Sequence, residues 1–337
     1  MKEYRKVFFI GIGGIGMSAL ARHFLTAGAI VFGYDRERTE LTRELEAEGV
    51  IIQYDTNTKS LPIDVDLVVY TPAVPIDNPI YMWFSYKSVP LIKRAQLLAQ
   101  IAEQYKLIAV AGTHGKTTTT TGITHILSKT NKGLIAFVGG IMKNFNSNYV
   151  LTNNPSYCIV EADEFDRSFL QLFPDITIIT SIEADHLNIY NNYESVESAF
   201  KQFAAQTKEN GLLILHESVK DIVISNNINV IVYGKKADAN VQIYKAVQTP
   251  KGYYVDIRYK DRLFKDIFIP VWGQHNLENI IVAMIIAIEL GVSVEDFCKA
   301  VLSFTGVRRR FDIRVNLPNV VYIDDYAHHP REIEACL

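Results

Sequence analysis

No apolar stretch in this 337-residue chain approaches the roughly 18 residues needed to cross a membrane as a helix, so a soluble, cytoplasmic protein is expected. The N-terminal MKEYRKVFFIGIGG runs straight into glycines and has no cleavage-site pattern. Cysteine is scarce. Cys158, Cys298 and Cys336 lie far apart, fit no metal-ligand spacing and are odd in number, which argues against a disulfide framework or a zinc cluster. Basic runs are equally short: Arg308-Arg309-Arg310 stands alone, and 34 basic against 37 acidic residues give a net charge of -3, so neither a nucleic acid nor a membrane is an expected partner. The rest is ordinary globular composition, long enough for two or three domains.

The chain is organised around 107–121, LIAVAGTHGKTTTTT. An apolar run reads as a buried strand, Gly112 and Gly115 allow a tight turn, and Lys116-Thr117 open a helix whose N-terminus faces that turn. Backbone N–H groups and the positive helix end favour a polyphosphate there. Lys116 can reach its β and γ phosphates, and the Thr117 hydroxyl can hold magnesium. Only two residues separate the glycines, where the common phosphate-loop motif has four, so a glycine turn before a threonine-rich helix stays open on local grounds.

At the N-terminus a strand at 7–10 leads into GIGGIG (11–16), a helix ending at Gly28 and a second strand at 30–34. Asp35 follows Gly16 by 19 residues, where a dinucleotide fold places an acid against a ribose. Such a glycine pattern specifies a pyrophosphate, not which ligand carries it, so NAD and a UDP-sugar both remain open. Further on, strands at 135–138 and 157–160 bracket a polar stretch read as a loop, MKNFNSNY. EADEFD then sets Glu161, Asp163, Glu164 and Asp166 at a strand exit, where a magnesium ion would explain the cost of clustering them. A strand at 176–181 delivers Asp185 and His186 to another strand end, and 241–269 reads as antiparallel. His275, Asn276 and Asn279 open an apolar helix that Gly291 closes; capping by Asn276 and nucleotide contact are both open.

GTHGKTTT, EADEFDRSFL, the Ala184–His186 triplet, GQHN with Asn279, RRF and DDYAHHP, in this order, resemble the Mur ligases of peptidoglycan synthesis. The resemblance covers nearly the whole chain. It implies an α/β protein with an N-terminal Rossmann-like parallel-sheet domain for a UDP-sugar (1–103), a central phosphate-loop ATPase domain (104–310) and only the start of a third Rossmann-like domain (311–337), hence an incomplete chain. It implies ATP, UDP-N-acetylmuramate and L-alanine as substrates, two magnesium ions, and an acyl phosphate as intermediate. Gly112, Thr113, His114, Gly115, Lys116, Thr117, Thr118, His275, Asn276, Asn279, Arg310 and Asp325 are then expected at ATP. Gly11, Gly13, Gly14, Ile15, Gly16, Asp35, Thr71 and His114 are expected at the UDP-sugar. Lys116, Glu161 and His186 would serve the chemistry, with Thr117, Glu161 and His186 as metal ligands. Lys201 is expected to be an ordinary surface-helix lysine. A monomer or weak homodimer is expected. The competing readings are a ligase adding an intact tripeptide to the same UDP-sugar, an NAD-linked dehydrogenase and a non-catalytic UDP-sugar-binding module.

Overall fold

The computed structural model describes residues 4–183, 190, 192–222 and 227–336. The chain divides into two compact units, 1–104 and 105–337. Among the described residues no helix is long and apolar enough to cross a membrane.

In the first unit β1 (Lys6–Ile10), β2 (Ile30–Tyr34), β3 (Ile51–Gln53), β4 (Leu67–Tyr70) and β5 (Leu91–Lys93) form one parallel sheet in the order β3-β2-β1-β4-β5. The strand order reverses beside β1, so a crevice opens at the carboxyl ends of β1 and β4, where open α/β sheets bind ligands. Val7 to Ile10 are fully buried because the parallel strand is covered on both faces. The short strand β5 and the helix Pro79–Ser85, whose first turn Asn78 caps, were not evident from the sequence; three residues carry too little periodicity.

The second unit holds a ten-stranded sheet. Its parallel centre joins β6 (Lys106–Ala111) to β9 (Tyr157–Glu161) on one side and β10 (Ile176–Ile179) on the other. Beyond β9 lie β7 (Leu134–Met142) and the antiparallel β8 (Ser147–Leu151). Beyond β10 come β11 (Leu212–His216), β12 (Asn229–Gly234) and β13 (Val241–Thr249), and the antiparallel β14 (Gly252–Tyr259) and β15 (Arg262–Ile269). The stretch read as a polar loop corrects to a hairpin: β7 runs through both glycines to Met142, and Ser147–Leu151 returns beside it. Asn146, at φ 50°, supplies the left-handed turn position that asparagine tolerates.

The helix Lys116–Ser128 packs on the sheet and against the helix Gln274–Glu289, an apolar helix buried along most of its length. Gly122 permits the approach, since a Cβ there would lie 2.7 Å from Ile280 Cδ1. The hairpin β16 (Asp312–Leu317) and β17 (Val320–Asp324) and a helix, Pro330–Cys336, follow. Lys201 lies on the helix Tyr193–Ala205, its ammonium 2.8 Å from Glu197 one turn back.

Candidate functional site

The helix starts differ in how their first N–H groups are met, and three of them begin at a glycine. Thr39, Asn78, Asn192 and Ser293 cap their helices with a side-chain oxygen. By contrast the helices Ile15–Thr26, Lys116–Ser128 and Gln274–Glu289 begin at Gly14, Gly115 and Gly273, with no side-chain cap and no acid in the first turn. Each leaves the positive end of a helix for an external acceptor, the arrangement that favours an anion. All three fall in motifs singled out from the sequence.

In the first unit the glycine turn sits at the carboxyl end of β1. Gly11 adopts φ 83°, and a Cβ on it would meet Thr71 Cγ2 at 2.8 Å, so only glycine fits between β1 and the loop after β4. The Gly13 N–H donates to Asp35 Oδ2 at 2.7 Å, and the Glu37 N–H donates to the other carboxylate oxygen at 3.3 Å. Asp35 thus braces the glycine turn. Gly14 and Ile15 lead into the helix, and a Cβ on Gly16 would lie 2.9 Å from Arg94 Nη1. That guanidinium beside a pyrophosphate-type turn is a residue that sequence reasoning missed, because Arg94 reads only as the start of an amphipathic helix.

In the second unit the loop after β6 is fastened to the exit of β10. Thr113 N–H donates to Ser181 O, His114 N–H to Ser181 Oγ and Glu183 N–H to Thr113 Oγ1, at 2.9–3.0 Å. Gly112 and Gly115 sit at φ 135° and 82°. Side chains at either would collide, with Thr180 Oγ1 at 2.0 Å and Asn279 Oδ1 at 2.5 Å respectively.

Lys116 Nζ donates to Gly112 O (2.6 Å), Thr113 O (3.2 Å) and Glu164 Oε1 (2.8 Å). Burial opposes the lysine charge, but the carboxylates of Glu164, Glu161 and Asp163 outweigh it and hold the ammonium above its ordinary pKa. The other Glu164 oxygen is buried and has no hydrogen-bond partner among the described residues. Thr117 Oγ1 donates to Glu161 Oε1 at 2.9 Å, and Gly139 N–H donates to Glu161 Oε2 at 2.8 Å. Burial pushes the Glu161 carboxyl pKa up, against the pull of Lys116 and these two donors. Thr117 and Glu161, expected as metal ligands, are therefore in contact; His186 lies outside the described residues.

The acidic run does not act as one cluster. Glu161 and Glu164 turn to the phosphate loop, whereas Asp163 accepts Phe165 N–H at 3.0 Å and shapes the turn that follows, and Asp166 is exposed. Sequence spacing could not make that distinction, because Asp166 and Arg167 depart from regular geometry at φ 52°.

A cavity of about 310 Å³ opens over the loop, bordered by Thr118, Lys116, Glu161, His275, Asn279 and Arg310 among others. Asn276 does not cap its helix; Gly273 holds that position, and the Asn276 amide donates to Trp272 O at 2.9 Å. Asn279 accepts from Thr119 Oγ1 at 3.2 Å, joining the two buried helices. Burial lowers the His275 pKa against opposing carboxylates, Asp325 first. Arg310 stacks over the Tyr326 ring at 5.3 Å, with Nη1 3.9 Å from Glu332 Oε1. Asp325 lines the same cavity while its Oδ1 accepts Ala327 N–H at 2.7 Å. His114 touches Glu332 and Glu183, two acids that belong to no motif of the sequence.

The family described as "Mur ligase family, catalytic domain" matches residues 6–106, and "Mur ligase middle domain" matches residues 110–287. The chain is 41% identical to the UDP-N-acetylmuramate--L-alanine ligase of Christiangramia forsetii, over 99% of the chain and 74% of the relative. It is 39% identical to the ligase of the same name from Flavobacterium johnsoniae, with the same coverage. The crystal structure of a UDP-N-acetylmuramate-alanine ligase from Thermotoga maritima superimposes with a TM-score of 0.87 at 30% identity, over 99% of this chain and 76% of that one. The order of the glycine-capped helices, the carboxylates on the phosphate loop and these similarities agree: the chain belongs to the Mur ligase family.

Proposed function

We propose that this protein is an ATP-dependent ligase that joins L-alanine to UDP-N-acetylmuramate in peptidoglycan precursor synthesis. The observation that carries it is the phosphate loop after β6, with Lys116, Thr117, Glu161 and Glu164 gathered at adjoining strand ends, in a chain 41% identical to a ligase of that name.

A carboxylate has no useful leaving group, so its oxygen first takes the γ-phosphoryl group of ATP, releasing ADP. The alanine nitrogen then attacks the acyl carbon, phosphate leaves and an amide remains. Lys116, kept charged, would meet the β and γ phosphates, with the Gly112–Gly115 turn and the uncapped helix supplying backbone donors. His275, Asn276 and Asn279 would line the adenine side. Arg310 would meet ATP phosphate and Asp325 its ribose. Gly11, Gly13, Gly14, Ile15, Gly16, Asp35 and Thr71 would form the UDP-sugar site in the first unit, and His114 would face the muramoyl group.

The donor set beside the loop fits magnesium, since Thr117 and Glu161 offer hard oxygens 2.9 Å apart within a locally anionic setting. Thr117 and Glu161, with His186 beyond the described residues, would hold the metal. When bound, it supplies neutralisation of the phosphoryl and carboxylate charges that otherwise repel. The domain division 1–103, 104–310 and 311–337 belongs to this reading, as do two metal ions and a monomer or weak homodimer.

The test is phosphate release with ATP and magnesium. Release that requires both UDP-N-acetylmuramate and L-alanine supports the proposal; a preference for an intact tripeptide over L-alanine overturns it.

A further inference from the structure

We infer that His114, Glu183 and His329 form a binding site for a transition-metal dication such as Zn2+, separate in its ligands from the Thr117–Glu161 oxygens. One atom from each of the three side chains falls within a sphere of contacts no wider than 4.8 Å. Two of the edges meet at one carboxylate oxygen. His114 Nε2 is 3.3 Å and His329 Nδ1 is 4.0 Å from the same oxygen, Glu183 Oε2. Around a four-coordinate zinc with bonds of about 2.0–2.1 Å, neighbouring ligand atoms are about 3.3 Å apart, so the His114–Glu183 edge already fits and His329 must move inward to close the other two, which lie within 4.8 Å.

Two further observations set the chemistry. His329 Nδ1 is buried and has no hydrogen-bond partner among the described residues, a cost that a metal or proton donor would remove. His114 Nδ1 lies 3.0 Å from Glu332 Oε1. With an ion bound, that contact would hold the Nδ1–H toward Glu332 and leave Nε2 to the metal in place of its present 3.3 Å contact with Glu183, the carboxylate–histidine–metal arrangement seen behind bound zinc. Two imidazoles and one carboxylate select a borderline ion over magnesium, which prefers oxygen ligands. Three protein ligands leave a fourth position open.

The consequence is a tether. His114 belongs to the phosphate loop, Glu183 to the segment after β10, and His329 to the turn before the last helix, so the ion would tie 326–336 to the loop. Cys336 borders the same cavity, but burial pushes its thiol up to about 11, which disfavours the thiolate a metal needs.

The experiment uses the full 337-residue chain. Zn2+ affinity is measured by competition with a chromogenic chelator in excess magnesium, and Co2+ is used as a spectroscopic substitute. The expected result is one Zn2+ per chain, undiminished by magnesium, with an intense visible Co2+ spectrum typical of low coordination. His329→Ala and, independently, His329→Gln should abolish the spectrum, and Glu332→Gln should weaken zinc by about 10- to 100-fold. His328→Ala and Cys336→Ser should leave it unchanged. Circular dichroism checks that each variant is folded. Unchanged zinc affinity in folded His329 variants, or loss in Cys336→Ser, overturns the assignment. So does anomalous scattering from a zinc-soaked crystal that places the ion away from His114 and His329; a peak between them supports it without any variant.

Discussion

Glu164→Gln isolates the competition that the phosphate loop sets up with its own ligand. Among the described residues Lys116 Nζ has three acceptors, two backbone carbonyls and the Glu164 carboxylate. Both side chains are shielded, at 14% and 3% exposure, so the pair is not weakened by solvent as a surface pair would be. An arriving polyphosphate must draw Nζ away from Glu164 and place negative charge near the carboxylate. Glutamine keeps an acceptor oxygen of the same reach but gives up the charge. Hydrogen bonds to charged groups contribute about 1.5–3 kcal/mol, and losing one of the two charges while the ammonium keeps its own moves the bond from the upper toward the lower end of that range. The difference, about 1–1.5 kcal/mol, corresponds to roughly five- to tenfold tighter ATP binding. Stability should move the other way, because Lys116 stays buried with a weaker partner; the loss should be about 1–2 kcal/mol, short of the roughly 3–5 kcal/mol for deleting one member of a buried pair. Calorimetric titration with a non-hydrolysable ATP analogue, beside urea unfolding, reads both. Weaker nucleotide binding in the variant would refute the reasoning, since Glu164 would then support the nucleotide directly.

Lys116→Ala should abolish ATP turnover while UDP-sugar binding, measured by calorimetry, persists; loss of both in folded protein would contradict separate sites. Glu161→Ala should raise the magnesium concentration for half-maximal activity at least tenfold, and an unchanged magnesium titration would remove Glu161 from the metal site. Gly13→Ala places a Cβ 2.8 Å from Asp35 Oδ2 and should weaken UDP-sugar binding with ATP binding intact, read by parallel titrations. The His114–Glu332 contact predicts a stability window. Burial opposes both charges, but His114 holds the Glu332 carboxyl down to about 2, while Glu332 and Glu183 raise His114. The Glu332 contribution is lost as pH falls from about 4.5 toward 2, and the His114 contribution is full below its ordinary value near 6.5 and lost as pH rises through its raised value. The gap in thermal midpoint between wild type and Glu332→Gln should therefore be widest at about pH 5–6; a gap that grows steadily toward alkaline pH would exclude the pair.

Strong local signals made much of the fold readable. The second strand was expected at 30–34 and is Ile30–Tyr34, and the helix expected to open at Lys116 does so. These places combine an apolar run with a glycine that changes the period. The β7–β8 hairpin escaped because Gly139 and Gly140 look like a strand end, whereas β7 continues beside Glu161 precisely where a side chain would not fit: a Cβ on Gly139 would lie 2.6 Å from Glu161 Oε2. At the site, Lys116, Thr117 and Glu161 were legible because each belongs to a motif with a mechanism. Glu183, Glu332 and Arg94 were not, and Glu164 was named only as one of four acids, without its pairing to Lys116. Their roles depend on which strand ends adjoin and on a turn with unusual dihedrals, and neither is written in local spacing.

The pairing register of the central strands has a consequence for how this chain tolerates changes in length. Val110 lies opposite Glu161, and Ala111 lies opposite Ile179. Side chains alternate faces along a strand, so one residue inserted within β9 would turn Glu161 to the opposite side of the sheet and present its neighbour to Thr117. The same insertion at 143–146, in the turn between β7 and β8, leaves every one of those pairings in place. An insertion should therefore disturb Glu161 far more within β9 than in the hairpin turn, whose own cost is its hydrogen bonds to Ser303, Thr305 and Asp312, a boundary drawn by strand parity and not by distance from the phosphate loop.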